Sequence, residues 1–258
     1  MDIMEWDQKW KDIQKDKNGK HTAQEILDHW KAEIPQNACL RKGWPHKKSR
    51  PCIEHLGYRK VSKEGHEAAG EKRLEHKLLG ESGKIKIHYI ENGRESLRMQ
   101  VCFHNMGLGT ARNCSQKIID CFGVIVVGGK NFPTAIEVKT SNKAPWYAVI
   151  ENLVQVQMLS QNLANLQRHF GEPPLSFGRL SRAWGVVLAP KAYFTSRQKE
   201  ESFSRAQKLI EEFGDDIRIT LVQCGDEPIG EDLRKNAYWR LSYVGGFWPP
   251  KTETSQLP

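Results

Sequence analysis

Residues 117–139 constrain the fold more than any other stretch of this 258-residue chain. The stretch reads KIIDCFGVIVVGGKNFPTAIEVK, two mostly apolar runs on either side of the segment GGKN at 128–131. Apolar runs of this length predict buried strands, and adjacent glycines followed by polar residues are typical of a tight hairpin turn. The stretch therefore predicts a β-hairpin.

Three charged side chains interrupt the apolar pattern of this hairpin. Because successive side chains of a strand point to opposite faces, Glu137 and Lys139 share one face, and Ile136 and Val138 point into a core. Strand pairing can carry Asp120 beside Glu137. Two neighbouring carboxylates are costly unless a divalent cation lies between them, so the hairpin predicts a metal site. The alternative is a solvent-facing polar edge with one ion pair.

The remaining pattern predicts the fold class. From residue 65 the expected order is helix, two hairpin strands, strand, strand, helix, strand, helix and strand. One long helix is expected over 146–170, a loop over 105–113, and a last strand within 237–248. This order predicts an α/β fold in which helices flank a mixed central β-sheet.

The first third of the chain predicts an N-terminal extension. Residues 2–16 have helical spacing, and Thr22 with Glu25 forms a capping-box signature that opens a second helix. Residues 39–60 read as a basic loop with interspersed aromatic side chains. We divide the chain into a helical and basic extension, 1–62, that contacts DNA or a second subunit, and a core with a C-terminal tail, 63–258.

Four further residues are candidates for a site near the hairpin. On the helix before the hairpin, Glu71 falls on the stripe of Leu74 and Leu78, and Glu75 lies one step around the helix. A carboxylate that faces inward requires a cation or a basic partner. The helix after the hairpin offers Gln155 and Gln157, and the choice within each pair stays open.

The composition favours a protein that binds a polyanion and argues against a membrane-spanning or disulfide-bonded one. The net charge of +8 favours a polyanionic partner. No apolar run is long enough to span a membrane, and the N-terminal residues lack the apolar core of a secretory signal. The six cysteines form no CxxC pair, which predicts free thiols in a reducing cytoplasm.

The pattern Asp120 … Glu137-Val138-Lys139, with flanking helices that bear Glu71 and Gln155, resembles the PD-(D/E)XK nuclease superfamily over residues 65–224. The chain departs from that pattern at Ile119, where the family name has proline. The resemblance implies a restriction-endonuclease-like core. It also implies hydrolysis of phosphodiester bonds with Mg²⁺, for which Mn²⁺ can substitute.

The resemblance also implies roles for individual residues. Asp120 and Glu137 would bind the metal, with Glu71 as a further contact, and Lys139 would position or deprotonate the attacking water. Gln155 would orient the water, Lys139 or a phosphate. In some members of the superfamily an aromatic residue follows this glutamine by four positions, where this chain has Leu159.

The leading functional expectation is a type II restriction-type endonuclease that acts on double-stranded DNA as a homodimer. Two alternatives are a repair, recombination or mobile-element nuclease for branched or single-stranded DNA, and a catalytically inactive DNA-binding module. The expected DNA-contacting residues are Arg41, Lys42, Lys47, Lys48, Arg50, Arg112, Asn113 and Lys143.

Overall fold

A computed structural model describes residues 3–33, 50–51, 71, 74–75, 78, 84–88, 96–108, 117–140, 143–170, 179–224 and 239–249. The helices within them are α1 (Ile3–Lys15), α2 (Ala23–Lys31), α3 (Pro145–Gln161), α4 (Leu163–Phe170), α5 (Lys191–Thr195) and α6 (Glu200–Phe213). The strands are β1 (Arg50–Pro51), β2 (Lys84–His88), β3 (Ser96–Leu108), β4 (Lys117–Val127), β5 (Lys130–Val138), β6 (Trp184–Pro190), β7 (Arg218–Cys224) and β8 (Trp239–Gly246). Positions 71, 74, 75 and 78 are also helical.

The described strands form one mixed sheet in the order β1-β3-β2-β8-β7-β6-β5-β4. β5, β6 and β7 run parallel, as do β2 and β8, whereas the remaining neighbours are antiparallel. β3 pairs with β4 as well as with β2, so the sheet curls back on itself. The predicted α/β class, a mixed sheet flanked by helices, is confirmed.

The predicted hairpin is β4 and β5. Val127 pairs with Lys130, and the turn between them places Gly128 and Gly129 at φ values of 53° and 71°. Two successive residues with positive φ match the right-handed twist of the paired strands, and glycine adopts that conformation without steric cost. Ile136 and Val138 are fully buried, as the alternation predicts.

Two cores lie on the two faces of the sheet. One joins the sheet to α1, α2, α3 and α6, and its largest buried side chains include Trp6, Trp10 and Tyr193. The other gathers residues from all of β2 to β8, among them Ile87, Trp184 and Leu241. A cluster that collects side chains from seven strands is expected on the inner face of a curled sheet.

Both predicted N-terminal helices are present. The Thr22 side chain accepts a hydrogen bond from the Glu25 N–H, and the Glu25 carboxylate accepts one from the Thr22 N–H, which completes the capping box. Trp6 and Trp10 are buried in the core that also contains α3. The two helices are therefore integral to that core.

The structure corrects two predicted boundaries. The segment 105–113 was expected to be a loop, but β3 continues to Leu108, where its pairing with β4 satisfies the backbone. The helix expected over 146–170 breaks at Asn162, whose N–H bonds to the Leu159 carbonyl and whose side-chain amide donates to the Met158 carbonyl. These local bonds end α3 before α4 begins.

Most of the predicted basic loop lies outside the described residues. Arg50 and Pro51 are the described part, and they pair with His104 and Phe103 of β3. The turn predicted near residue 92 also lies outside the described residues, but β2 and β3 on either side of it pair antiparallel as expected.

Candidate active site

The hairpin places the three charged side chains at one end of β4 and β5. Cys121 pairs with Ile136, so the next residues along the two strands are Asp120 and Glu137. The Asp120 Oδ2 atom accepts a hydrogen bond of 2.9 Å from the Val138 N–H. The sheet register and this bond together hold the Asp120 carboxylate at the end of β5.

Lys139 follows β5 directly and is 7% exposed. Its N–H donates to the Leu188 carbonyl of β6 at 2.9 Å, which fixes the backbone where the strand ends. Its ammonium contacts the Glu137 carboxylate and lies 3.2 Å from the Glu151 carboxylate. The ammonium is therefore held between two carboxylates, one on the sheet and one on α3.

Gln155 reaches the same carboxylate from α3. Its amide donates to the Glu137 Oε2 atom at 2.5 Å, while its own oxygen accepts from Asn152 at 3.1 Å. Asn152 also donates to the Ala135 carbonyl at 3.0 Å, which ties α3 to β5. A chain of amides thus fixes the orientation of the Glu137 carboxylate.

Gln157 takes a different role on the same helix. Its amide donates to the carbonyls of His29, Trp30 and Ala32 at 3.2, 2.7 and 3.1 Å, and its oxygen accepts from the Trp10 indole at 3.2 Å. Gln157 therefore anchors the N-terminal helices. Of the two glutamines that the sequence offered, Gln155 is the one at the site.

Both helical carboxylates before the hairpin approach the site. Glu71 Oε1 accepts from the Thr140 N–H at 3.3 Å, just after Lys139. Glu75 is 6% exposed, and its charge acts on Asp120. Both Glu71 and Glu75 therefore remain candidates for the accessory carboxylate of the site, because both lie at this end of the sheet.

The electrostatics of the site follow from burial and from neighbouring like charges. Burial first, and then the charge of Glu75, raises the pKa of Asp120 to about 7. Burial, together with the charges of Asp120 and Glu151, raises the pKa of Glu137 well above its usual range. Burial lowers the pKa of Lys139, but the charges of Glu137 and Glu151 outweigh it, so that pKa is raised. The site favours a cation.

Tyr147, Glu151 and Tyr193 belong to the site's surroundings and were missed from the sequence. Tyr147, Glu151 and Gln155 are spaced four residues apart on α3, so they share one face of the helix. That spacing could have indicated Glu151 once Gln155 had been chosen. No sequence pattern indicated Tyr193, because α5, the short helix that carries it, was not predicted.

The predicted DNA-contacting residues fall mostly outside the described part of the chain. Of the eight, Arg50 lies in β1 and Lys143 precedes α3, where its ammonium lies 4.8 Å from the centre of the Tyr147 ring. The other six are not described, and their role stays a prediction. Cys121 and Cys224 are buried.

Among the described residues, no three or more His, Cys, Asp and Glu side chains converge closely enough to bind an ion together. Within the same residues, no helix combines the length and apolarity needed to cross a bilayer. Comparisons with protein-family models, with curated proteins and with solved structures found no match.

Proposed function

We propose that this chain is a metal-dependent nuclease that hydrolyses phosphodiester bonds in DNA. The observation that carries the proposal is the placement of Asp120, Glu137 and Lys139 at one end of the β4–β5 hairpin, with Gln155 bonded to Glu137. These are the residues on which the PD-(D/E)XK resemblance rests. The helical positions 71, 74, 75 and 78 precede the hairpin in the chain and α3 follows it, which is the arrangement that the resemblance implies.

The donor chemistry at this edge fits a magnesium ion, with manganese as a substitute. Magnesium takes oxygen ligands, keeps several waters and uses one or two protein carboxylates, so Asp120 and Glu137 would be sufficient to hold it. Their pKa values are raised by burial first and then by neighbouring like charges, and a divalent cation between them would stabilise the ionised carboxylates. Glu71 and Glu75 would add negative charge at the same end of the sheet. When bound, the metal would acidify a water and neutralise charge on the phosphate.

The protein side chains would supply position and charge. Lys139 stays protonated at neutral pH, because Glu137 and Glu151 stabilise its ammonium. That ammonium can orient the attacking water or offset the negative charge that develops on the phosphate. Gln155 would hold the Glu137 carboxylate in one rotamer through their hydrogen bond. Asn152 would in turn keep Gln155 in place.

The net charge of +8 supports a nucleic-acid substrate, because cations that neutralise phosphates release counterions. Within this class we favour a type II restriction-type enzyme on double-stranded DNA, acting as a homodimer. A nuclease for branched or single-stranded DNA differs from it only in substrate. Parallel assays on linear duplex, nicked and branched DNA distinguish the two.

The central experiment is incubation of supercoiled plasmid with the purified chain, with and without magnesium. We expect magnesium-dependent cutting that falls by at least about 100-fold in Asp120→Ala and Lys139→Ala, while DNA binding is kept. Lys208→Ala, which removes an exposed lysine of α6, is the matched control for charge loss. Full cleavage by Glu137→Ala would exclude the proposed site. DNA binding without any cleavage by the wild type would instead support an inactive binding module.

A further inference from the structure

Tyr193 lies near the candidate site although it is distant from the hairpin in sequence. It belongs to α5, which begins directly after β6. β6 runs parallel to β5, with Val187 beside Glu137, and the Lys139 N–H bonds to the Leu188 carbonyl. Since the carboxyl ends of parallel neighbours meet at one edge of a sheet, α5 starts at the edge where Lys139 lies.

The Tyr193 hydroxyl is a buried polar group with no hydrogen bond to the described part of the chain. The residue is 1% exposed, and its Oη atom has no hydrogen-bond partner among the described residues. Buried hydroxyl groups are nearly always hydrogen-bonded, because an unmade bond leaves the cost of desolvation uncompensated. A hydroxyl in this position can therefore form a hydrogen bond with a ligand that binds at the site.

Charges around Tyr193 determine what that hydroxyl can do. Burial, opposed by the charge of Lys139 and supported by that of Glu137, raises the pKa of Tyr193 above its usual value. The phenol therefore remains a proton donor at neutral pH. The Lys199 ammonium lies 4.2 Å from the centre of the Tyr193 ring, so a second cation stands close to the same hydroxyl-bearing ring.

We propose that Tyr193 is a phosphate-binding residue of the active site, whose hydroxyl donates a hydrogen bond to a non-bridging oxygen of the phosphate group held there. A neutral donor suits this edge, because it can contact an anionic oxygen without adding to the carboxylate charge of the site. Lys199 would strengthen the donor through its contact with the ring. The inference rests on the proposed phosphodiester chemistry and adds a group that the hairpin motif does not include.

The test uses Tyr193→Phe, which keeps the buried ring, its edge-to-face contact with Phe194 and its contact with Lys199. Inorganic phosphate is titrated into the wild type and the variant by calorimetry, with and without magnesium. We expect phosphate affinity to fall by about tenfold or more, since one donor to an anionic oxygen is lost. Single-turnover cleavage of plasmid should fall by about 10- to 100-fold.

A second tyrosine provides the matched control. The Tyr243 hydroxyl donates to the Gly246 carbonyl at 2.7 Å, so Tyr243→Phe removes a hydroxyl that already has a partner. Tyr243→Phe should lower the urea midpoint and leave phosphate affinity unchanged. Tyr193→Phe should leave the midpoint equal to or above that of the wild type.

The two measurements test the two proposals separately. Equal phosphate affinity in the wild type and Tyr193→Phe, including no binding by either, overturns the role of Tyr193. A wild type that binds phosphate through Tyr193 but cuts no DNA supports that role and counts against the proposed nuclease function. A Tyr193→Phe protein with a lowered urea midpoint would assign the hydroxyl a structural role and overturn the inference.

Discussion

At the end of β5, Glu137 accepts a hydrogen bond on each carboxylate oxygen, from Lys139 on one and from Gln155 on the other. The residue is 2% exposed, and the charges of Asp120 and Glu151 act on it. Lys139 contributes one positive charge against several carboxylates, so the edge carries an excess of negative charge whenever those carboxylates are ionised. Such an excess destabilises a fold unless a cation or a proton offsets it.

Replacing Asp120 with asparagine separates the stability of the fold from its activity. The asparagine oxygen can still accept the Val138 N–H, while repulsion from Glu75 and Glu137 is removed. In chelator at pH 8 we expect Asp120→Asn to be more stable by about 1 kcal/mol, since like charges in contact destabilise a buried site. Cleavage with magnesium should be lost.

Urea denaturation and the plasmid assay measure the two effects of Asp120→Asn. Glu212→Gln, at an exposed position of α6, is the control for removal of a carboxylate elsewhere. A variant that is less stable than the wild type in chelator would contradict the view that the carboxylates repel one another.

At the scale of elements, α3 connects the site to the N-terminal helices. One face presents Gln155 to Glu137, while another presents Gln157 to α2 and to the Trp10 indole. The sequence indicated that both glutamines interrupt an apolar helix. It could not separate them, because their roles depend on which elements lie against each face of the helix.

Gln155→Leu and Gln157→Leu form a matched pair on this helix. Gln157→Leu removes the donor to three carbonyls of residues 29–32, so the free energy of unfolding should fall by about 1–3 kcal/mol. Its cleavage rate per folded molecule should stay close to that of the wild type. Gln155→Leu should reduce the cleavage rate by about tenfold or more, because the Glu137 carboxylate loses an orienting bond. Equal losses of rate in the two variants would contradict this division.

The contact between α3 and β6 requires a glycine. A Cβ atom at Gly185 would lie 2.0 Å from Asn152 Oδ1 and 2.9 Å from side chains of Val156 and Ile219. Gly185→Ala should therefore push α3 from the sheet, at a cost of about 1–3 kcal/mol in unfolding free energy. It should also reduce cleavage, since Asn152 bonds to Gln155.

Gly245→Ala is the control for a methyl group added to the same sheet. There the nearest atoms belong to the flexible Gln207 side chain, at 3.1 Å or more, so the cost should be small. Thermal or urea unfolding of the two alanine variants compares the effects. If Gly185→Ala and Gly245→Ala were equally destabilising, the close packing of α3 against Gly185 would not be the reason that this position requires glycine.

At the scale of the whole molecule, Asp16 links the end of α1 to α6. Its carboxylate accepts from Arg205 at 2.9 Å and from the N–H groups of Lys20 and His21 at 3.0 and 2.9 Å. Burial acts to raise the pKa of Asp16, but these backbone and side-chain bonds outweigh it and hold the pKa well below its usual value. The linkage joins two residues that are 189 positions apart in the sequence.

This linkage gives the stability a defined dependence on pH. A carboxylate with a lower pKa in the folded state binds fewer protons than in the unfolded chain, so it stabilises the fold above its ordinary pKa. That stabilisation is lost as the pH falls through the lower, folded pKa. We expect the gap in urea midpoint between the wild type and Asp16→Asn to be full near pH 7 and to narrow progressively as the pH falls below about 4.

Asp12→Asn, at an exposed aspartate of α1, is the control for charge removal. Urea denaturation across the pH range measures the midpoints of all three proteins. A gap between the wild type and Asp16→Asn that stays constant with pH would contradict the role of Asp16.

Local sequence patterns determined the type and order of most helices and strands in this protein. The β4–β5 hairpin, the capping box of α2 and the order of helices and strands follow from short-range periodicity and turn chemistry, which act between residues close in sequence. The alternation in β5 also placed Ile136 and Val138 in a core and put Glu137 beside Lys139 on the other face. These features need no knowledge of distant contacts.

Only the tertiary structure decided the surroundings of the hairpin. Glu151 and Tyr193 lie near Lys139 because α3 packs on β5 and because α5 follows a strand parallel to it. The same packing assigned Gln155 to Glu137, and Gln157 to the N-terminal helices. Contacts between residues far apart in the sequence depend on how faces of helices and sheets meet, and a periodic pattern identifies a face without naming its partner.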